Sequence, residues 1–280
     1  MTAISAKLNR GGSHAADARA WEPALLKLIY HLEELAANAW PAEVVQVVDG
    51  WRLRFNRNVT RRANSVWPNG VGDDHSLEEK LALVEDFYAR WDCPARYQIC
   101  PAAQPTNLDE ILAKRGYTSD AHTAVQIAPL ETVLARAEAN PVYTVILSET
   151  FDESWFDLYC QTEQVSPQAA EGRRGILQRI GPRTGFVLLL AAGQPIAIGL
   201  GVVERGWIGL FSIATHPQFR RQGAATAVIR ALGQWGQEHQ VSQVYLQVME
   251  NNASARALYA RLGFETLYHY HYRELIQKQD

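Results

Sequence analysis

The stretch from Phe186 to Thr226 constrains this chain more than any other. Three apolar runs, Phe186 to Ala192, Pro195 to Val203 and Trp207 to Ala214, are separated by Gly193-Gln194 and Arg205-Gly206, so the spacing predicts an antiparallel meander with tight hairpin turns. The third run leads through Ile213, Ala214, Thr215 and Pro217 into Arg220, Arg221, Gln222, Gly223, Ala224, Ala225 and Thr226. A helix from Ala224 to Gln237 follows, apolar at Ala224, Ala227, Val228, Ala231, Leu232 and Trp235. A buried strand, a basic Gly/Ala loop and a helix start together make an anion cradle. Small residues let backbone N–H groups come close to a diphosphate, the helix N-terminus supplies about half a positive charge, and Arg220 and Arg221 add mobile charge. The loop alone reads equally well as a basic strand-to-helix turn whose glycine serves only geometry.

Elsewhere the periodicity predicts a helix from Trp21 to Trp40 stopped by Pro41, and strands Val44 to Val48 and Trp51 to Phe55 around the turn Asp49-Gly50. Asn56 to Ser76 reads as loop with a strand near Asn64 to Trp67. Leu77 to Trp91 reads as a helix opened by the capping box Ser76/Glu79. Strand Arg96 to Cys100, helix Leu108 to Arg115 and strand Thr123 to Ile127 complete the first half. The Ala/Glu-rich segment Pro129 to Pro141 has no aromatic residue and is taken as the junction. Beyond it come strand Tyr143 to Leu147, helix Glu153 to Cys160, a loop and helix through Gln178, the meander, strand Val244 to Met249, helix Ala253 to Leu262 stopped by Gly263, and a strand pair around Thr266 to Arg273. The helix closing on Gly116-Tyr117 parallels the one closing on Gly263-Phe264, which suggests a repeat. The division is a mobile tail over 1–20, an N-terminal domain over 21–130, a linker over 131–141 and a second domain over 142–280.

A formal charge of −3 on 280 residues argues against nucleic acid or an anionic membrane as partner, since both need a basic surplus. Cys93, Cys100 and Cys160 make neither a disulfide framework nor a paired zinc site, and no metal is expected. They read as idle thiols of a reducing, cytoplasmic setting. The first twenty residues hold no apolar stretch of signal-peptide length, and no window reaches about 18 uninterrupted apolar residues.

Two blocks carry a family resemblance. Arg220-Arg221-Gln222-Gly223-Ala224-Ala225 is similar to the pyrophosphate loop of the GNAT superfamily, the acyl-CoA-dependent N-acetyltransferases, with Ala in the last position where the pattern has Gly or Ala. Asn252, Ala255, Leu258 and Tyr259, followed by Gly263-Phe264, match the family's second block in the same order. The resemblance covers residues 142 to 280. Over 21 to 130 it extends only to the order of elements, so the implied fold is α/β: tandem GNAT-like units, each a mostly antiparallel sheet flanked by helices, the first degenerate. That degeneracy rests on Arg61 to Pro68, which lacks a glycine where the repeat would put a phosphate loop.

The resemblance implies that acetyl-CoA is the co-substrate. Main-chain groups of Ile213, Ala214 and Thr215 would bond its pantetheine amides, while Arg220, Arg221, Gln222, Gly223, Ala224, Ala225 and Thr226 would wrap its diphosphate. Asn252 would bond the pantetheine or acyl region, and the Tyr259 hydroxyl would face the thioester sulfur as catalytic acid. Asn252 also fits as helix cap and Tyr259 as core aromatic. Ile208 and Gln247 stand at the two strand positions that often hold a glutamate base, and neither accepts a proton. Glu204, Glu250 and His216 are the nearest titratable residues and read as solvated surface. Without a strong base, an α-amino group near ~8 suits as acceptor better than a lysine near ~10.4.

Arg173, Arg174, Arg179 and Arg183 read either as a solvated helix face or as contacts to an acidic substrate. Trp51, Trp67 and Tyr88 read as core. The implied reaction is direct acetyl transfer to a primary amine of a small molecule or peptide N-terminus by a monomer or homodimer. An acyl-CoA-binding sensor without catalysis and a transferase for longer acyl groups are the rival readings.

Overall fold

In a computed structural model, residues 23–275 are described; the expected tail over 1–20 lies outside them. Helix α1 (Pro23–Ala39) buries Ile29, Leu32, Leu35, Ala36 and Ala39 at the expected three- and four-residue steps, together with the carboxyl of Glu33. Strands β1 (Val44–Val48) and β2 (Trp51–Phe55) pair across Asp49 (φ 45°) and Gly50 (φ 83°), the turn in which both central residues take positive φ. A two-residue strand, β3 (Val66–Trp67), interrupts the following loop. Helix α2 (Leu77–Ala89) opens on the expected capping box: the Glu79 N–H donates to Ser76 Oγ at 3.3 Å and the Ser76 N–H donates to Glu79 Oε2 at 2.8 Å. It stops two residues before Trp91, whose ring stacks on Phe55 with centroids 4.5 Å apart. Strand β4 (Arg96–Ile99), helix α3 (Leu108–Lys114) and strand β5 (Thr118–Pro129) follow.

The junction segment contains helix α4 (Leu130–Arg136), which buries Leu130 and Val133. Strand β6 (Tyr143–Ser148) and helices α5 (Glu153–Thr162) and α6 (Pro167–Gln178) lead to the meander β7 (Arg183–Ala191), β8 (Gln194–Glu204) and β9 (Trp207–Thr215). The first meander turn is Ala192-Gly193, φ 48° and 81°, one residue earlier than expected, because it is this pair that takes positive φ. The chain ends with helix α7 (Ala224–Glu238), strand β10 (Gln243–Met249), helix α8 (Ala253–Leu262) and strand β11 (Glu265–Glu274). A strand pair was expected at the end; β11 is one long strand, accommodated by two register irregularities along β5.

All eleven strands form one mostly antiparallel sheet in the order β1-β2-β3-β4-β11-β5-β10-β9-β8-β7-β6. Its centre joins the halves reciprocally. β5, closing the first half, lies against β10 of the second, and β11, closing the second, lies against β4 of the first; β5 and β11 also pair with each other. Three apolar clusters stabilise this arrangement. One fills the first half around Trp51, Tyr88 and Tyr97, and another packs α7 and α4 on the meander through Val228, Leu232, Trp235 and Val133. The third spans both halves, bringing Leu32 and Leu35 of α1 together with Trp155 and Tyr159 of α5 and Tyr268 and Tyr270 of β11. Trp51, Tyr88 and Trp67 are buried as expected. No helix among the described residues is long and apolar enough to cross a membrane.

Candidate active site

Strands β9 and β10 run parallel and pair from Trp207 opposite Gln243 to Leu210 opposite Leu246, then separate, although β9 continues to Thr215 and β10 to Met249. A bulge on β9 accompanies the separation. Between the pairs Ile198/Ala214 and Leu200/Phe211, β9 carries one residue more than β8, and Ser212 takes φ 49°. The gap is a cleft of about 660 Å³. Ile213, Gln247, Asn252 and Tyr259 line it from the second half, and Thr60 and Arg62 from the first.

Beyond Thr215 a short 3₁₀ turn, Pro217–Phe219, brings the chain to the basic loop. Arg220 donates from Nε to the Thr215 carbonyl at 3.3 Å, and Tyr143 donates from its hydroxyl to the Gln222 carbonyl at 2.7 Å. Arg221 (φ 64°) and Gly223 (φ 85°) both stand in the left-handed region. The Ala227 N–H closes the first turn of α7 on the Gly223 carbonyl at 3.0 Å, which leaves the N–H groups of Ala224, Ala225 and Thr226 without an intrahelical acceptor. Helices α2, α5, α6 and α8 close their N-termini with Ser76, Asp152, Ser166 and Asn252; α7, like the seven-residue helices α3 and α4, has no side-chain cap. A methyl group at Gly223 would meet only Asn140 Nδ2, at 3.7 Å. Uncapped donors, the helix dipole and open space in front of them suit a diphosphate.

Asn252 is the helix cap expected of it, and it stands at the cleft. Its Oδ1 accepts from the Ala255 N–H at 3.1 Å, capping α8. The Tyr259 ring packs edge-on to Phe264, 5.7 Å between centroids, while its hydroxyl has no hydrogen bond among the described residues. Burial pushes that phenol up to about 12, so it stays protonated at physiological pH.

The two glutamate positions differ in fate. Ile208 is fully buried under α7, whereas Gln247 lines the cleft and accepts from the Tyr270 hydroxyl at 3.3 Å. Glu204 is engaged by Asn38 at 3.1 Å and Arg205 at 3.2 Å, and Glu250 pairs with His269 at 3.4 Å. Neither lines the cleft, nor does His216; among the described residues the one carboxylate that does is Glu163, just past the end of α5. No spacing in the sequence singles it out. Among the described residues no cysteine lines the cleft; burial raises the Cys93 thiol to about 11 and pushes Cys100 higher still.

Of the four arginines between Arg173 and Arg183, three are held locally: Arg174 by Glu153, Arg179 by Asn56, and Arg183 by Glu149 at 3.1 Å. Arg173 lines the cleft and donates to the Tyr159 hydroxyl at 2.7 Å. Arg61, Arg62 and Arg96, on the wall from the first half, were not anticipated there.

The first half's counterpart of the phosphate loop is not Arg61 to Pro68 but the segment after β3, residues 68–76, because the loop of the second half likewise follows the strand that pairs in parallel with its neighbour. This segment does contain glycines, Gly70 and Gly72. A methyl group on either would collide with the β1–β2 turn, at the Gly50 carbonyl or the Asp49 carboxylate. The helix that follows is already capped by Ser76 and carries Glu78 and Glu79 in its first turn.

Comparison with known proteins agrees with this geometry. The family described as "Probable histone acetyltransferase Rv0428c C-terminal" matches residues 28–274. The chain is 32% identical over 250 residues to an uncharacterized N-acetyltransferase, YobR, of Bacillus subtilis, covering 88% of this chain and 98% of that protein. In fold it resembles a GCN5-related N-acetyltransferase from Kribbella flavida (TM-score 0.67, 17% identity, 91% of this chain and 96% of that one). It also resembles a tandem GNAT protein from the clavulanic acid biosynthesis pathway (TM-score 0.61, 13% identity, 91% and 94%). The chain therefore belongs to this family of GNAT-fold acetyltransferases, and it is an N-acetyltransferase built on a tandem GNAT architecture.

Proposed function

We propose that the protein transfers the acetyl group of acetyl-CoA directly to a primary amine of a small molecule or peptide N-terminus, at the cleft between β9 and β10. The uncapped N-terminus of α7 behind Gly223 carries this reading. Acetyl-CoA supplies a thioester carbonyl open to attack by a neutral amine. The N–H groups of Gly223, Ala224, Ala225 and Thr226, with Arg220 and Arg221, would hold its diphosphate. The diverging edge of β9 from Ile213 through Ala214 to Thr215 offers main-chain groups to the pantetheine amides, and the Asn252 amide reaches the same space. Tyr259, a neutral phenol in a buried setting, would donate its proton to the departing thiolate.

Deprotonation of the amine falls to solution equilibrium or to Glu163, since Gln247 cannot accept a proton. With no cysteine in the cleft, attack proceeds without a covalent enzyme intermediate. The test is thiol release from acetyl-CoA across a panel of amines: turnover confined to small amines or free peptide N-termini supports the reading, and turnover confined to lysine side chains of proteins overturns it.

A further inference from the structure

We propose that the acceptor is a zwitterion, an amine that also carries a carboxylate, with the carboxylate held by Arg62 and Arg173. This rests on the acetyl-transfer reading above and names its substrate class. Four guanidiniums line the cleft, and two already have carboxylate partners: Arg61 pairs with Asp120, and Arg96 with Glu274. The other two do not. Arg62 is half-buried with its guanidinium carbon 5.5 Å from the Trp40 ring centre, and among the described residues it has neither an ion pair nor a hydrogen bond. Arg173 donates to the Tyr159 hydroxyl at 2.7 Å and weakly to the Val59 carbonyl at 3.5 Å, and its buried Nε has no hydrogen-bond partner among the described residues. Leaving two positive charges uncompensated in a partly desolvated cleft is costly unless an anion enters it.

The opposite charge is also provided. Among the described residues Glu163 is the single carboxylate lining the cleft, and Tyr159 lies within electrostatic reach of Arg173, Glu163 and Arg62 alike. An acceptor's amine and carboxylate therefore both find a complementary charge in the cleft, Glu163 for the one and the planar guanidinium forks of Arg62 and Arg173, which match carboxylate geometry, for the other. A protein lysine would bring an amine to the cleft but no carboxylate for the two arginines. A cleft of about 660 Å³ that must also admit the acyl end of the coenzyme favours a compact molecule such as an amino acid.

The experiment uses the full-length protein with CoA present and measures, by calorimetry, binding of the N-acetyl derivatives of the twenty amino acids and of their C-terminal amides. The expected result is at least one acid bound tenfold or more tightly than its amide, with that ratio falling tenfold in Arg62→Gln and in Arg173→Gln. In Arg61→Gln, the same charge change at an arginine already paired, the ratio should persist. No acid bound more tightly than its amide, or a preference that survives both substitutions, overturns the proposal. Thiol release separates this from the reading beneath it. Acid preference without release from acetyl-CoA by any amine would overturn acetyl transfer and leave the anion site standing, and release with acid and amide used equally would do the reverse.

Discussion

A phenol that burial keeps protonated to about 12 cannot take up a further proton at physiological pH, so in the proposed reaction Tyr259 would act as a donor. Tyr259→Phe keeps the ring packed on Phe264 and removes only the hydroxyl, so acetyl-CoA affinity should stay within about twofold while kcat falls roughly 10²-fold, the lower end of what a positioned acid supplies. An unchanged kcat with chemistry rate-limiting would make the hydroxyl structural. Glu33 makes a different kind of statement. Burial raises its carboxyl from the ordinary 4.5 to about 7, against hydrogen bonds from Tyr268 at 2.7 Å and Gln98 at 2.7 Å and the nearby Arg54 that pull it down. A folded-state value above the unfolded one means that the native protein binds the proton more tightly. The associated stability is therefore complete below about 4.5 and is lost as pH rises through about 7. The shift corresponds to about 3 kcal/mol, so urea denaturation should show lower stability at pH 8 than at pH 5, and Glu33→Gln should flatten that difference. A variant whose pH dependence matches the parent would assign the loss to other groups.

Helix α7 shows how one residue type can set an element's chemistry. Gly223 holds φ 85° with open space beside it, so a side chain there is disfavoured by backbone strain rather than by collision. Alanine in the left-handed region costs roughly 1–2 kcal/mol, relieved by rotating the donors out of their cradle, and Gly223→Ala should weaken CoA binding about tenfold in calorimetry. Gly206 offers the control: its φ is 78° and its surroundings are equally open, but it serves the β8–β9 turn, so Gly206→Ala should leave CoA affinity unchanged. This element was legible in the sequence because its determinants are local: a glycine, small neighbours and a helical period starting at Ala224. Asn252 was legible for the same reason, as a cap three residues before the N–H it accepts from. The bulge at Ser212 and the parting of β9 from β10 were not, because a strand's register depends on partners remote in sequence. Arg62 and Glu163 carry no local signature either; they reach the cleft from opposite halves only through tertiary packing.

At the scale of the whole molecule the two halves share one sheet. β5 and β11 each complete the other half's sheet, so cutting the chain after Arg136 should give fragments that expose β10 and β4 as unpaired edges and stay soluble only when co-expressed. The sequence showed the repeat through its two helix–glycine–aromatic endings, but not that the strands after them cross over. It also misplaced the first half's phosphate loop, since a two-residue β3 leaves almost no hydrophobic pattern to read. The corrected position sharpens the reason why this half should bind no coenzyme. In residues 68–76 the glycines are consumed by packing on the β1–β2 turn, where Asp49 Oδ1 accepts the Asp74 N–H at 3.3 Å and Lys80 Nζ lies 3.4 Å from Asp49 Oδ2. At the start of α2 the Glu79 N–H is spent on Ser76 Oγ, and Asp73, Asp74, Glu78 and Glu79 put four carboxylates around it in sequence. A diphosphate there would meet side chains where it needs open N–H groups, and repulsion where it needs a positive field. Titration of CoA into the full-length protein should therefore saturate at one equivalent per chain, and Gly223→Ala should shift that single isotherm as a whole. A second equivalent, or a residual isotherm that Gly223→Ala leaves untouched, would mean that the first half retains a site of its own.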